Sequence, residues 1–233
     1  SIHVAGEVGE HAPVAFDIQP TDATHSKLSI TSSDAGSVLK EDDIFDTVKG
    51  GALSITGTLQ DDDPARPLTG IAKIDDFQLV HAPVLAKLLT VAGLTGIVDL
   101  LSGQGIHFTG LEMPFTYTDG ILEVKDGQAS GSALGVTAKG RVDLDNDKLG
   151  LEGTVVPAYV INSALGNLPV VGGIFSAEKG GGLFAIDYQM KGAMGDPDIT
   201  FNPLSALTPG FLRGLFHIFD EKPKPPSGNA PHQ

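Results

Sequence analysis

Apolar and polar positions alternate with period two over most of this chain, the signature of half-buried strands. Ile2, Val4, Gly6 and Val8 form one such run, Val14, Phe16 and Ile18 a second, and Leu28 with Ile30 a third. Pro20, Thr21 and Asp22 make the turn before that third run. Ser33 and Asp34 offer an N-cap for a short helix reaching to about Val48, with Val38, Leu39, Ile44 and Phe45 as its apolar side. Gly50 and Gly51 are expected to end it. Leu53, Ile55, Gly57 and Leu59 resume the alternation, and a further strand runs from Leu68 to Val80.

The pattern breaks between Pro83 and Leu101, where PVLAKLLTVAGLTGIVDLL is nearly all apolar. At 100° per residue, Leu85, Leu89, Ala92, Gly96 and Leu100 share one side of a helix. Val84, Val91, Leu94, Val98 and Leu101 share roughly the other. The spacing predicts one helix, about 28 Å long at about 1.5 Å per residue. Lys87, Asp99, Gly93 and Gly96 argue against a membrane span. A helix apolar nearly all round is expected to be buried, with Leu85, Leu89, Ala92 and Leu100 facing its cover.

Beyond Gly103 the alternation returns at Ile106 to Thr118, Ile121 to Ser130, Leu134 to Leu144 and Leu149 to Pro157. Turns at Thr118-Asp119-Gly120 and Asp145-Asn146-Asp147 join these runs as hairpins. A strand is predicted from Gly182 to Gly192, a short one from Ile199 to Phe201, and a terminal helix from about Pro209 to Phe219. EKPKPPSGNAPHQ, from Glu221 onward, reads as a disordered tail. Gly57, Gly140, Gly153 and Gly192 fall in mid-strand without breaking the alternation, which suggests a sheet that bends or coils. The fold class is therefore mainly β with α (α+β): a strongly twisted antiparallel sheet forming a trough or groove that wraps apolar helices. Pattern alone leaves open whether that trough is a filled core.

Composition narrows the function. A net charge of −14 over 233 residues leaves no basic stripe for phosphates, so nucleic acid is excluded as a partner. With no Cys there is no disulfide framework or thiol chemistry. Asp143, Asp145 and Asp147 have the odd spacing of a calcium loop. Lys148 stands where that loop needs glycine, however, and Thr154 where it needs glutamate. The seven His lack metal-ligand spacing, Gly180-Gly181-Gly182 is no phosphate loop, and no serine sits in a G-x-S-x-G elbow. No cofactor, metal or catalytic residue is predicted, and the chain is not expected to be an enzyme.

From about Asp34 onward the chain resembles the C-terminal region of AsmA-like proteins, in the form found in large YhdP-type envelope proteins of the bridge-like lipid-transfer superfamily. The resemblance rests on GGALSITGTL followed by PLTGIAKIDDFQLVHAPVLAKLLTVAGLTGIVDLLSGQGIHF, on DGILEVKDGQASGSALGVTAKGRVDLDNDKLGLEGTVVPAY, and on the order LGNLP then DPDITFNPLSALTPGFLR. It implies residues 34–219 as an AsmA-like C-terminal domain, 1–33 as the end of a preceding repetitive β-groove, and 220–233 as a Pro-rich tail. The chain is then expected to be a segment of a longer protein. It implies a periplasmic lipid conduit within a protein anchored in the inner membrane of a Gram-negative cell, moving phospholipid between inner and outer membranes. The alternative is a structural cap or protein-interaction module for envelope assembly with no lipid cargo.

An acyl chain gains about 0.8 kcal/mol per buried methylene, so an apolar strip needs no polar pocket to hold one. The candidate lining residues are the inward rows Leu53 and Ile55; Val136, Ala138, Val142 and Leu144; Leu149, Leu151 and Val155; and Phe184, Ile186, Tyr188 and Met190. Phe211, Leu212, Leu215, Phe216 and Phe219 of the terminal helix are the candidate membrane-interface residues. The expected partners are phospholipid acyl chains, with an outer-membrane surface or envelope protein at the distal end.

Overall fold

The computed structural model describes residues 1–8, 12–41, 47–157 and 185–202. It contains β1 (Ile2–Val8), β2 (Ala12–Pro20), β3 (His25–Ser32), α1 (Ala35–Glu41), β4 (Val48–Gln60), β5 (Leu68–Leu79), α2 (Pro83–Val91), α3 (Thr95–Ser102), β6 (Ile106–Thr118), β7 (Ile121–Gly131), β8 (Leu134–Asp143), β9 (Lys148–Pro157), β10 (Ile186–Ala193) and β11 (Asp198–Asn202). Among the described residues, eleven strands form one open antiparallel sheet in strict sequence order. Directly paired residues share a face, and the register therefore sorts the alternation of each strand onto common sides. Val4, Phe16, Ile30, Ile55, Ala72 and Met113 follow one another across β1 to β6. The opposite face carries cross-strand ion pairs, Lys73 to Glu112 at 2.7 Å and Lys139 to Glu152 at 3.1 Å.

One core gathers residues from the helices and the apolar face. Leu88, Leu89, Ile97 and Leu101 of α2 and α3 share it with Leu53, Ile74, Phe77, Phe108, Val155 and Met190 of the sheet. Three neighbouring strands reach it by slipping register against their own alternation at one level. Ile74 and Phe77 both enter the core although three residues apart, as do Phe108 and Leu111, and Val48 and Leu53 do so five apart. The slip is a crease: Gly50 (φ 65°) and Gly51 (φ 89°) on β4 lie beside Asp76 (φ 55°) on β5. Beyond it Phe77 stacks on Phe108, ring centroids 5.2 Å apart.

The hairpin turns follow the sequence. Asp119 (φ 47°) and Gly120 (φ 75°) form a two-residue turn with both residues left-handed, the type that matches strand twist. Asp34 caps α1 as expected, accepting from the Ser37 backbone N–H at 3.1 Å and from its hydroxyl at 2.6 Å. Gly140 (φ 133°) occupies a backbone conformation closed to valine, and a Cβ there would strike the Gly150 carbonyl.

Several expectations are corrected. The helix predicted over Pro83 to Leu101 is two helices. Gly93 (φ 75°) ends α2 in a Schellman motif: its N–H donates to the Thr90 carbonyl at 3.0 Å, and the Leu94 N–H to the Leu89 carbonyl at 2.8 Å. The turn rotates α3 relative to α2. Leu101 is therefore buried and Leu100, assigned to the covered side, is 48% exposed. Val48 belongs to β4 rather than to the first helix, and Gly50 and Gly51 lie inside that strand. The terminal helix, the tail and the first residues of the strand predicted from Gly182 lie outside the described residues.

Leu89, fully buried between helix and sheet, sets the test of this arrangement. Leu89→Asp is expected to cost about 4 kcal/mol or more, from lost packing plus an unpaired buried charge. Thermal denaturation checks it, and a melting temperature equal to that of the unaltered chain contradicts it.

Candidate functional site

The feature with functional potential is the apolar face, and its burial varies along the strands. Near the helices it is sealed. Leu53, Val155, Tyr188 and Met190 are buried, and Ile55, Val136, Leu149 and Leu151 pack half-buried against them. Ala138, Val142 and Ile186 are also half-buried. Leu144 follows the end of β8, in the β8–β9 turn, and is 46% exposed. Phe184, Phe211, Leu212, Leu215, Phe216 and Phe219 lie outside the described residues.

Toward the other strand ends the same face carries a half-buried row that joins two of the candidate lining residues, Val142 and Leu149, to four others, and Leu149 links it to the core. Leu59, Leu68, Tyr117, Leu122, Val142 and Leu149 are successive direct partners across β4 to β9. Five are half-buried and Tyr117 is 38% exposed. Five strand spacings make the row roughly 24 Å long. Each strand pattern marks its own apolar residues, but only hairpin register lines them up. The two-residue Asp119-Gly120 turn, which fixes Tyr117 opposite Leu122, was the usable signal.

Every hairpin that supplies two residues of this row closes in an acidic turn. Asp61, Asp62 and Asp63 separate Leu59 from Leu68, Asp119 separates Tyr117 from Leu122, and Asp145 and Asp147 separate Val142 from Leu149. Backbone bonds lace neighbouring turns together: the Asp61 N–H to the Thr24 carbonyl at 2.7 Å, Leu144 to Gly120 at 2.9 Å, and Met194 to Asp147 at 3.1 Å. Asp22, in the adjoining turn, is lowered to about 2 by the Thr24 backbone N–H and the His25 ring. Asp61 is held below the usual carboxylate range by the Ser26 hydroxyl and by Arg66, whose Nη2 lies 2.7 Å away. Asp143, first of the odd-spaced triplet, accepts from the Asn146 backbone N–H at 3.0 Å as an ordinary turn residue. No three or more His, Asp or Glu side chains among the described residues are grouped to hold a metal ion.

Tyr188 is a buried titratable side chain on the apolar face. Its hydroxyl crosses Gly153 and donates to the Thr137 carbonyl at 2.7 Å, and a Cβ on Gly153 would collide with both groups. Burial pushes its phenol well above the ordinary value. Comparison of the chain with protein-family models, curated proteins and solved structures found no match.

The raised Tyr188 pKa has a defined sign. A phenol held neutral by the fold contributes stability that is intact below its unfolded pKa of about 10 and is lost as pH rises toward the folded value. Tyr188→Phe is expected to cost about 1 kcal/mol at neutral pH, by orphaning the Thr137 carbonyl. Above about pH 10 the gap between variant and unaltered chain narrows, by up to about 1.4 kcal/mol per pH unit for one proton. Thermal melts from pH 8 to 11.5 measure it, and parallel curves contradict the assignment.

Proposed function

We propose that this chain is a non-enzymatic lipid-binding segment whose apolar sheet face carries phospholipid acyl chains. It forms the distal, periplasmic end of an inner-membrane-anchored protein that moves phospholipid between the two membranes. The observation carrying the reading is the continuity of one apolar face through an eleven-stranded open sheet, sealed by helices over only part of its extent. Sliding along such a strip exchanges one apolar contact for another, so cargo moves without a large barrier at any one step. Among the described residues no helix is long and apolar enough to cross a membrane. The anchor and the placement rest on the resemblance set out above.

A trough, rather than a flat sheet, is supported by one long-range contact. Lys87 of α2 lies about 6 Å along its helix from Pro83, near the helix end of β5. Yet its Nζ donates to Asp196 at 2.6 Å and to the Pro197 carbonyl at 2.9 Å, in the β10–β11 turn. On a flat sheet β11 would lie roughly 29 Å from β5, with that turn at the opposite strand ends. The usual twist, accumulated over six strand steps to roughly 130°, brings that turn back toward the helix. The resulting surface is concave around α2 and α3.

The burial of Leu53, Val155, Tyr188 and Met190 favours a second reading, in which the domain is a filled cap that docks an envelope protein and carries no lipid. Native mass spectrometry of the chain purified from membrane-containing lysate separates the two. Co-purifying phospholipid, displaced when Leu122→Asp and Leu149→Asp are introduced together, is expected. A lipid-free monomer from native lysate overturns the conduit reading and leaves the cap.

A further inference from the structure

The half-open row and the acidic turns beside it form one composite surface. Its apolar part, Leu59, Leu68, Tyr117, Leu122, Val142 and Leu149, spans roughly 24 Å. One lipid tail occupies about 15 Å, half the hydrocarbon core of a bilayer. A tail lying across the strands in this row would therefore have its glycerol and headgroup near a hairpin turn. The charge at those turns is lopsided. Asp62, Asp119, Asp145 and Asp147 are all exposed, while Asp61 is engaged by Arg66 and Ser26. The cationic groups at this end among the described residues include Arg66, bound to Asp61, Lys148 at the start of β9, His25, within hydrogen-bond distance of Asp22, and Lys87, paired with Asp196 in the β10–β11 turn beside Asp147. Lys139 and Arg141 project from the other face, toward Glu152 and Glu123.

Resting on the acyl-chain reading of the same face, we infer that this surface selects phospholipids with an amine-bearing headgroup over anionic ones. The row takes the tail by apolar burial, and the aspartate rim takes the ammonium group. A headgroup such as phosphatidylethanolamine presents a compact cation that exposed carboxylates attract. Phosphatidylglycerol presents only net negative charge and meets like charge at Asp62, Asp119, Asp145 and Asp147. An exposed ion pair is worth up to about a factor of five in affinity, so the preference is of that order, and salt screens it.

The test loads the chain from vesicles of equal parts phosphatidylethanolamine and phosphatidylglycerol at low ionic strength, then measures the headgroup ratio of protein-bound lipid. Roughly five-fold enrichment of phosphatidylethanolamine is expected, falling toward the vesicle ratio in 0.5 M salt. It should fall likewise in the variant Asp62→Asn, Asp119→Asn, Asp145→Asn, Asp147→Asn. Asn tolerates the left-handed backbone at Asp119 and Asp147, and an unchanged thermal melt of the variant verifies its fold. Bound lipid at the vesicle ratio, or enriched in phosphatidylglycerol, overturns the selectivity and leaves the conduit standing. Enrichment that survives both salt and the four substitutions assigns it to other residues and also overturns it. Absence of bound lipid under every condition removes the conduit reading, and the selectivity with it.

Discussion

An open sheet with one apolar side has to hide that side, and the rest of this fold follows from how it does so. Antiparallel pairing in strict sequence order puts the alternating residues of eleven strands onto common faces. Burying apolar surface gains about 25 cal/mol per Å², so an uncovered face of this extent would be a strong driving force for association. Two insertions supply part of the cover, α1 between β3 and β4 and the α2–α3 pair between β5 and β6. The crease through Gly50, Gly51 and Asp76 turns the ends of three strands so that Phe77 and Phe108 meet that helix pair. The Lys87 contact with Asp196 and Pro197 ties α2 to the β10–β11 turn.

The same economy separates a sealed zone from an open one. Beneath the helices even Tyr188 is dry, its hydroxyl satisfied by one backbone carbonyl that only a glycine at 153 lets it reach. Toward the acidic turns the row from Leu59 to Leu149 is half-buried, with Tyr117 38% exposed and Leu149 joining it to the core. On the reading proposed above, cargo belongs to the open zone, and the sealed zone is the scaffold that fixes its shape.

Much of this was legible in the chain. Period-two alternation located the strands, Asp119-Gly120 announced its hairpin, and Asp34 announced the cap of α1. The break in the long apolar helix was legible only in part. Gly93 marks it, yet the apolar periodicity runs straight through, and periodicity carries no information on where the chain turns. The crease escaped because one of its residues, Asp76, is an ordinary aspartate held in a left-handed conformation by its neighbours. The open row escaped because it is a property of register across six strands and not of any one of them. The Lys87 to Asp196 contact joins residues 109 apart, a distance over which no local pattern carries information.

The central claim is that lipid contacts one face of the sheet and not the other, and the alternation itself provides the measurement. A photo-crosslinking residue can be placed singly at Leu122, Val142 and Leu149, and at their chain neighbours Glu123, Arg141 and Lys148, which point the opposite way. Irradiation in cells carrying labelled phospholipid then reads lipid adducts position by position. The account predicts adducts at the first three and none at the second three. Equal labelling of both sets, or labelling confined to the charged face, would contradict it.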